Sequence, residues 1–260
     1  MSEEREVGDV FGARLETPTR LADAVSDAIA AALFDGRIRP GDPLPSEGVI
    51  AREFGVSKPI AREALRQLAG AGLIHTQQGK VARAKPLNGE PLDRFYGYAV
   101  RSSLTRLREA NEMRLVVERG IAQLAARRQA AAGLAAMHSA VAAMEKALKK
   151  SDAFTDSDVA FHHGMALATG NRMIEIQMEG LRAVQREVSD LFSRRSNRTD
   201  ADWVATVERH RHIVCAIEAG DEAGAEAAMV AHYAAADIAS FEVADTLSAT
   251  DTLSTRSAPS

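Results

Sequence analysis

The chain has 260 residues, 46% of them hydrophobic but only 5% aromatic, and a formal net charge of −4. This length suits one small and one larger domain, and the Ala-rich composition favours packed helices over a sheet-based fold. The single cysteine, Cys215, excludes an internal disulfide framework, and the acidic N-terminus is unlike a signal peptide. No apolar run reaches the roughly 18 residues of a membrane helix, so we expect a cytoplasmic, mainly α protein that does not enter the membrane.

Two domains are predicted from the distribution of apolar residues. Residues 1–16 and 246–260 lack apolar periodicity, which is typical of a flexible N-terminal arm and a disordered tail. The stretch AKPLNGEPLD at 84–93 contains two prolines and an Asn-Gly pair, as linkers often do. We therefore predict domains over 17–86 and 87–245. The first has ten Lys/Arg against seven Asp/Glu, so it is the candidate for binding nucleic acid.

The elements of the first domain follow a recognisable order. RLADAVSDAIAAALFDG is an amphipathic helix that ends at Gly36, and RIRPGDPLPS is a turn segment. SEGVIAREF is a short helix capped by Ser46, GVS is a tight break, and KPIAREALRQLAGAG is a helix with Pro59 in its first turn. LIHTQQGKVARA contains two short strands. Together they predict a winged helix-turn-helix.

The helix after the tight break has two different faces. Its apolar and basic residues are offset by two positions, which is about 200° around a helix. The basic face could be an ordinary solvated surface, but the basic hairpin that follows favours contact with nucleic acid. The apolar face consists of Ile60, Ala64 and Leu68, and the basic face consists of Lys58, Arg62 and Arg66.

The second domain is predicted to be an all-α antiparallel helical bundle, because no strand-like stretch of any length occurs in it. Its helices are predicted over 92–102, 104–128, 131–150, 152–169, 171–195, 201–219 and 221–244.

Polar residues interrupt the apolar faces of three of these helices. His210 lies in the middle of one apolar face and His232 in the middle of another. Asp158 lies on a third, with His162 one helical turn beyond it. His163 is rotated about 140° from Asp158 and should face elsewhere. We therefore expect one acid and three histidines to converge in the bundle interior.

Four such groups in one core need a common partner, because a buried carboxylate and buried imidazoles are unfavourable without one. A divalent metal ion would satisfy all four, and this ligand set suits Zn, Ni, Mn or Fe without choosing among them. The alternative is a water-filled hydrogen-bond network, or histidines that are satisfied separately.

Arg114 lies on the inward face of another helix and must find an anion. That anion is either a protein acid such as Glu118 or the carboxylate of a small organic-acid effector. Asn171, in the TGN turn that follows the Asp/His helix, is a second candidate for contact with the effector.

The segment LPSEGVIAREFGVSKPIAREALRQLAGAGLI resembles the winged helix of GntR-family transcription regulators. The Asp158, His162, His210 and His232 set resembles the metal site of the FadR-type branch, which has an all-helical effector-binding domain. EANEMRLVVERGIAQLAA resembles the opening long helix of that domain, whose arginine corresponds to Arg114.

The resemblance implies a homodimer that binds a palindromic operator in double-stranded DNA, with contacts from the recognition helix and from the tip of the wing. Two departures, Gly48 after PSE and Ile60 on the recognition helix, each imply a lost phosphate or base contact, so the operator sequence cannot be carried over from relatives. The implied contacts are Ser57, Lys58 and Arg62 on the helix and Gln78, Gly79 and Lys80 on the wing.

The sequence thus favours a ligand-responsive regulator, expected to be a repressor, that senses a small organic acid through a metal-containing pocket. One alternative is a metal-dependent hydrolase or lyase with an accessory winged helix, although no well-placed second carboxylate or lysine is evident as a general base. Another is a protein-interaction module, which would not show salt-dependent DNA binding.

Overall fold

The structure, a computed structural model, describes residues 18–77, 81–101 and 103–236. The chain divides into two compact units, Met1–Leu87 and Asn88–Ser260, and each has its own apolar core. The predicted arm over 1–16 and the predicted tail over 246–260 lie outside the described residues.

The first unit has the order predicted for a winged helix-turn-helix. Its two short strands pair in antiparallel register, with Ile74 opposite Ala84 and His75 opposite Arg83. Pro43 adds an isolated bridge to Arg83. The described elements are α1 (Pro18–Phe34), α2 (Glu47–Glu53), α3 (Lys58–Gly70), β1 (Ile74–His75) and β2 (Arg83–Ala84).

Local signals explain where α2 and α3 begin. The Ser46 hydroxyl accepts a hydrogen bond from the Val49 N–H at 3.4 Å, which confirms the predicted cap of α2. Gly55 has a φ of +65°, a left-handed conformation that favours glycine, and it allows the tight turn between the two helices. Pro59 lies in the first turn of α3, where a missing N–H costs little.

The second unit is all-helical over its described residues, so the mainly α class is confirmed. No described helix combines the length and the hydrophobicity that crossing a membrane requires. Its helices are α4 (Glu90–Val100), α5 (Leu104–Arg128), α6 (Ala131–Lys146), α7 (Ser151–Ala168), α8 (Arg172–Gly180), α9 (Arg182–Ser193), α10 (Asp200–Glu218) and α11 (Glu222–Ala234).

The prediction of one helix over 171–195 is wrong, because the structure divides this stretch into α8 and α9 at Leu181. The division lies where α4 approaches closely, since a Cβ on Gly180 would lie 2.6 Å from the Cβ of Leu92. The start of α4 also runs against α8, since a Cβ on Gly89 would lie 2.3 Å from the nitrogen of Gly180. A tertiary contact of this kind leaves no mark in the helical periodicity.

Helix α7 is central to the bundle and packs against α5, α6, α8 and α9, whereas α11 packs against α5 and α10. The contact between α6 and α7 is unusually close, because a Cβ on Gly133 would lie 2.0 Å from the backbone nitrogen of Ala168. Helices α5, α7, α10 and α11 therefore surround the part of the interior where the predicted polar residues lie.

Candidate metal centre and ligand cavity

Asp158 and His162 lie one turn apart on the buried face of α7. Both side chains are buried, and they share this face with Phe154, Phe161 and Met165, as the apolar pattern predicts. His163 is only half-buried and does not belong to the polar cluster.

His210 is fully buried on α10, and its Nδ1 lies 2.8 Å from the backbone carbonyl oxygen of Thr206. A ring nitrogen that faces a carbonyl must donate, so Nδ1 holds the proton and Nε2 has a free lone pair. That Nε2 lies 3.0 Å from Asp158 Oδ1 without a hydrogen-bonding geometry. The two atoms are therefore close enough to bind one metal ion together.

His232, on α11, completes the cluster. One ligand atom from each of Asp158, His162, His210 and His232 lies within 4.8 Å of the others. The rings of His210 and His232 have their centroids 4.6 Å apart. The structure therefore brings together the four residues that the sequence predicted would converge.

The cluster fits a divalent metal ion on two observations. His210 Nε2 and His232 Nδ1 are buried nitrogens without a hydrogen-bond partner in the described part of the chain. Burial also lowers the pKa of His232 well below its usual value, so this imidazole is neutral, as a metal ligand must be. A metal ion would satisfy both orphaned nitrogens, and three imidazoles with one carboxylate suit a borderline transition metal.

Glu118 on α5 connects the cluster to its surroundings. One carboxylate oxygen, Oε2, contacts His162 Nδ1, which fixes that ring and leaves its other nitrogen for the cluster. The other oxygen, Oε1, accepts from the Tyr233 hydroxyl at 2.8 Å and from Arg114 Nε at 2.9 Å. Burial alone would raise the pKa of Glu118, but the charge of Arg114 and the hydrogen bonds from His162 and Tyr233 bring it to about 2. Glu118 is therefore ionised.

Arg114 is paired with Glu118, one of the two kinds of anionic partner that the sequence predicted for it. It is buried, pairs with Glu118, and donates from Nη1 to Asn111 Oδ1 at 3.3 Å. Its guanidinium also lines a cavity next to the cluster. A structural salt bridge and contact with a ligand are thus compatible for this residue.

Asn171 lies away from that cavity, contrary to the expectation that it contacts the effector. Its side chain caps α8 by accepting a hydrogen bond from the Met173 N–H at 3.0 Å. The reason is that Asn171 lies beyond the end of α7 at Ala168, which is itself about 9 Å along the helix axis from His162.

The cavity has a volume of about 430 Å³, which is within the range of small-molecule sites. Polar and aromatic side chains of α5, α7, α9, α10, α11 and the loop before α10 form its wall. The wall includes Asp158, His162 and His232 of the cluster, together with Asn111, Arg114, Phe154, Phe192, Arg195, Asn197, Arg198, Asp202, Thr206, Arg209 and Tyr233.

Two of these arginines, Arg198 and Arg209, differ from Arg114 because they contact a hydroxyl instead of a carboxylate. Both donate to Thr206 Oγ1, at 2.9 Å and 3.0 Å. The Arg198 guanidinium also stacks on the Trp203 ring at 3.8 Å. Burial lowers the pKa of Arg198 to about 10, so it remains a cation at neutral pH.

The predicted DNA-binding residues of α3 are exposed. Ser57, Lys58, Arg62 and Arg66 lie at the surface, while the opposite face of α3 is buried through Ala61, Ala64, Leu65 and Leu68. Ile60, which was expected to pack, is only half-buried. The wing residues Gln78, Gly79 and Lys80 lie outside the described residues.

Each of the two exposed arginines is held by a glutamate. Arg62 binds Glu47 of α2 through two hydrogen bonds of 3.0 and 2.8 Å, and Arg66 binds Glu63 through two of 2.8 and 2.7 Å. Both guanidinium groups are therefore accessible to a DNA phosphate but are already paired in the free protein.

Sequence reasoning missed four residues of the site, Thr206, Tyr233, Arg198 and Arg209. The i, i+4 spacing of Thr206 and His210 was visible, but a backbone carbonyl partner is not a sequence signal. Tyr233 follows His232 directly, and it contacts Glu118 because α11 packs on α5. Arg198 lies in the SRRSNRTD loop, whose conformation periodicity does not predict.

Two family models match the chain. The model of the FCD domain matches residues 109–235, which contain the cluster, and the model of the bacterial regulatory proteins of the gntR family matches residues 21–83. The two matches correspond to the two compact units.

Named relatives are similar over most of the chain. It is 29% identical to the HTH-type transcriptional regulator LutR of Bacillus subtilis, over 76% of this chain and 91% of that protein. It is 27% identical to the galactonate operon transcriptional repressor of Escherichia coli, over 79% of this chain and 90% of that protein. The solved structure of Streptococcus agalactiae GntR is 25% identical, with a TM-score of 0.64, over 82% of this chain and 97% of that chain.

Proposed function

Because the chain belongs to the gntR family of bacterial transcription regulators and has an FCD domain of the FadR type, we propose that it is a metal-containing repressor released from its operator by a small organic acid. It is a ligand-responsive, DNA-binding regulator and not an enzyme, since its named relatives are regulators. The hydrolase or lyase alternative is therefore set aside.

The observation that supports the ligand most strongly is the position of the four-residue cluster in the wall of a cavity. Asp158, His162 and His232 line the cavity directly, and the buried His210 lies behind them. A divalent cation held by these four side chains would supply a Lewis-acidic centre with coordination positions open to ligand oxygens. Zn, Ni, Mn and Fe all fit the ligand set.

Residues around the cluster position the metal ligands and the organic-acid effector. Glu118 holds the ring of His162, and the Thr206 carbonyl holds the ring of His210, so both imidazoles keep their lone pairs directed at the cluster. Arg114 lines the same cavity and keeps its charge because Glu118 stabilises it. We assign Arg114 the second contact to the effector carboxylate.

The DNA contacts in this proposal come from the exposed face of α3 and from the wing. Ser57, Lys58, Arg62 and Arg66 lie on that face, and Gln78, Gly79 and Lys80 are assigned to the wing contact by resemblance. One recognition helix reads too few base pairs for selectivity, so the proposal includes a homodimer and a palindromic operator. Repression is proposed because the galactonate relative, similar over 90% of its length, is named a repressor.

For the acid to release DNA, it must bind the DNA-free state of the protein more tightly than the DNA-bound state. The test begins with an operator selected from random duplexes by the full-length, zinc-loaded protein. Fluorescence anisotropy then measures the affinity for that operator at fixed salt, with and without millimolar lactate, malate, gluconate and galactonate. We expect at least one acid to weaken binding about ten-fold.

A matched pair of variants separates the metal site from general effects on α10. His210→Ala removes a cluster ligand, whereas His212→Ala removes an exposed histidine from the same helix. Only His210→Ala should lose the response to the acid and the stoichiometric zinc measured by native mass spectrometry. An acid response that is unchanged in His210→Ala, or absent from the wild type with every acid, contradicts the proposal.

A further inference from the structure

Two arginines in the cavity wall have no acidic partner in the described part of the chain. Arg198 lies in the loop between α9 and α10, and Arg209 lies on α10. Each donates one Nη2 hydrogen bond to Thr206 Oγ1, and the Nε of each is buried without a partner. The two guanidinium groups therefore still have donors to offer to a ligand.

The arrangement holds two like charges together on one neutral acceptor. Thr206 Oγ1 is shared by both, so the two cations lie close to each other and repel. Arg198 is fixed by its stacking on Trp203 and by the Phe154 ring, 5.4 Å from its guanidinium carbon. A pair of cations that packing holds in this way is suited to binding an anion.

Asp202 acts on both arginines through its charge but forms no ion pair with either of them in the described part of the chain. Asp202 is engaged at the start of α10, where its Oδ2 accepts from the Thr199 N–H at 2.7 Å and from the Thr199 hydroxyl at 2.8 Å. Arg114 differs, since Glu118 neutralises it within the bundle. The cavity wall contains four arginines but two acids, Asp158 and Asp202, and a divalent cation would increase its positive charge further.

We propose that the effector is a short dianion, with one carboxylate at the four-residue cluster and Arg114, and a second anionic group bound by Arg198 and Arg209. This inference rests on the proposed function. The second group is a carboxylate or a phosphate, because both accept hydrogen bonds from two guanidinium groups. Arg198 and Arg209 thereby determine the selectivity between singly and doubly charged acids.

Thr206 limits the length of the dianion. Its hydroxyl accepts from both arginines, and its carbonyl fixes the ring of His210. The two ends of the site are thus organised by residues one helical turn apart, which is about 6 Å along the axis. A short-chain diacid or a phosphorylated small acid fits this spacing.

Isothermal titration calorimetry with the full-length, zinc-loaded protein tests the proposal with two pairs of acids. Malate is compared with 2-hydroxybutyrate, and 3-phosphoglycerate with glycerate, so that each pair differs mainly in the second anionic group. We expect at least one dianion to bind about ten-fold more tightly than its monoanionic counterpart. The pair of acids with the larger ratio of dianion to monoanion affinity identifies the second group as a carboxylate or a phosphate.

Three variants assign this preference to the arginine pair. Arg198→Gln and Arg209→Gln should each weaken the preferred dianion about ten-fold and leave the monoanion unchanged, with zinc content and circular dichroism showing that the fold is intact. Arg211→Gln is the control, because Arg211 lies on α10 but binds Glu145 and Glu208 outside the cavity. If Arg198→Gln does not fold, Arg209→Gln decides the question.

The two proposals fail in different ways. Equal affinity for the members of both pairs, or a dianion preference that survives both Gln variants, overturns the dianion inference and leaves the proposed function intact. No binding of any of the four acids counts against the organic-acid effector itself.

Discussion

Each unit of the molecule contains an arginine bound by a glutamate, but the two ion pairs have very different surroundings. In the DNA-binding unit, the side chains of Arg62 and Glu47 are 68% and 34% exposed. In the effector unit, the side chains of Arg114 and Glu118 are 3% and 0% exposed. The same kind of ion pair is thus exposed to solvent in the first unit and buried in the second.

Burial gives the two pairs different uses. An exposed arginine can exchange its glutamate for a DNA phosphate at little cost, because water screens both states. A buried arginine cannot leave its partner, since the remaining charge would have no compensation. Arg62 is therefore suited to reversible contact with DNA, whereas the pairing of Arg114 with Glu118 fixes the wall of the cavity and the ring of His162.

The largest expected effect is that of Glu118→Ala. This change leaves Arg114 buried without its counter-ion, and breaking a buried pair costs about 3–5 kcal/mol. Urea denaturation followed by circular dichroism measures the loss. The exposed Glu112→Ala on the same helix is the control and should change the free energy of unfolding by less than about 0.5 kcal/mol. Similar losses in both variants would mean that the loss of stability does not come from the buried pair.

Removal of the metal should have the next largest effect. Chelation takes away a ligand of the native state, which at about 100-fold excess over Kd is worth about 2.7 kcal/mol. Differential scanning calorimetry with and without EDTA should show a lower Tm for the wild type and for His212→Ala. His210→Ala should melt at the same temperature in both conditions. A wild-type Tm that EDTA does not change would indicate a hydrogen-bond network instead of a metal site.

Much of the buried site could be predicted because helical periodicity places residues on faces. Periodicity alone places Asp158 and His210 on the apolar faces of their helices. The i, i+4 spacing of Arg114 and Glu118 likewise made Glu118 a candidate partner of Arg114. The cost of burying isolated polar groups then predicted that the four residues meet in the core. The structure agrees, because their ligand atoms lie within 4.8 Å of one another.

The remaining features depend on contacts that the periodicity does not encode. The interruption at Leu181 lies beside the close approach of α4 to Gly180, and the position of Arg198 depends on a loop that stacks it on Trp203. Asn171 was placed at the cavity because it is near His162 in sequence, but the length of the helix separates them. Loops and close backbone approaches are therefore where the sequence was least informative.

A smaller effect, confined to DNA binding, is expected for Arg62→Gln. Loss of a phosphate contact should weaken operator binding and reduce the slope of log K against log salt by about 1. The Tm should be unchanged, because the pair with Glu47 is solvated. Anisotropy titrations at several salt concentrations measure the slope. Arg37→Gln, which removes another exposed, paired arginine of this unit, should leave it unchanged. Equal slopes for the wild type and Arg62→Gln would exclude Arg62 from the phosphate contact.

The smallest effect is expected for Glu47→Gln. The carboxylate of Glu47 competes with DNA for Arg62, so its neutralisation should strengthen operator binding about two-fold, with no change in Tm. The comparison is made in the same anisotropy assay, with Glu63→Gln as the matched change beside Arg66. Weaker binding would reverse the interpretation, because Glu47 would then orient Arg62 towards the DNA in the way that Glu118 orients His162. The exposed and buried pairs would in that case share a positioning role and differ only in strength.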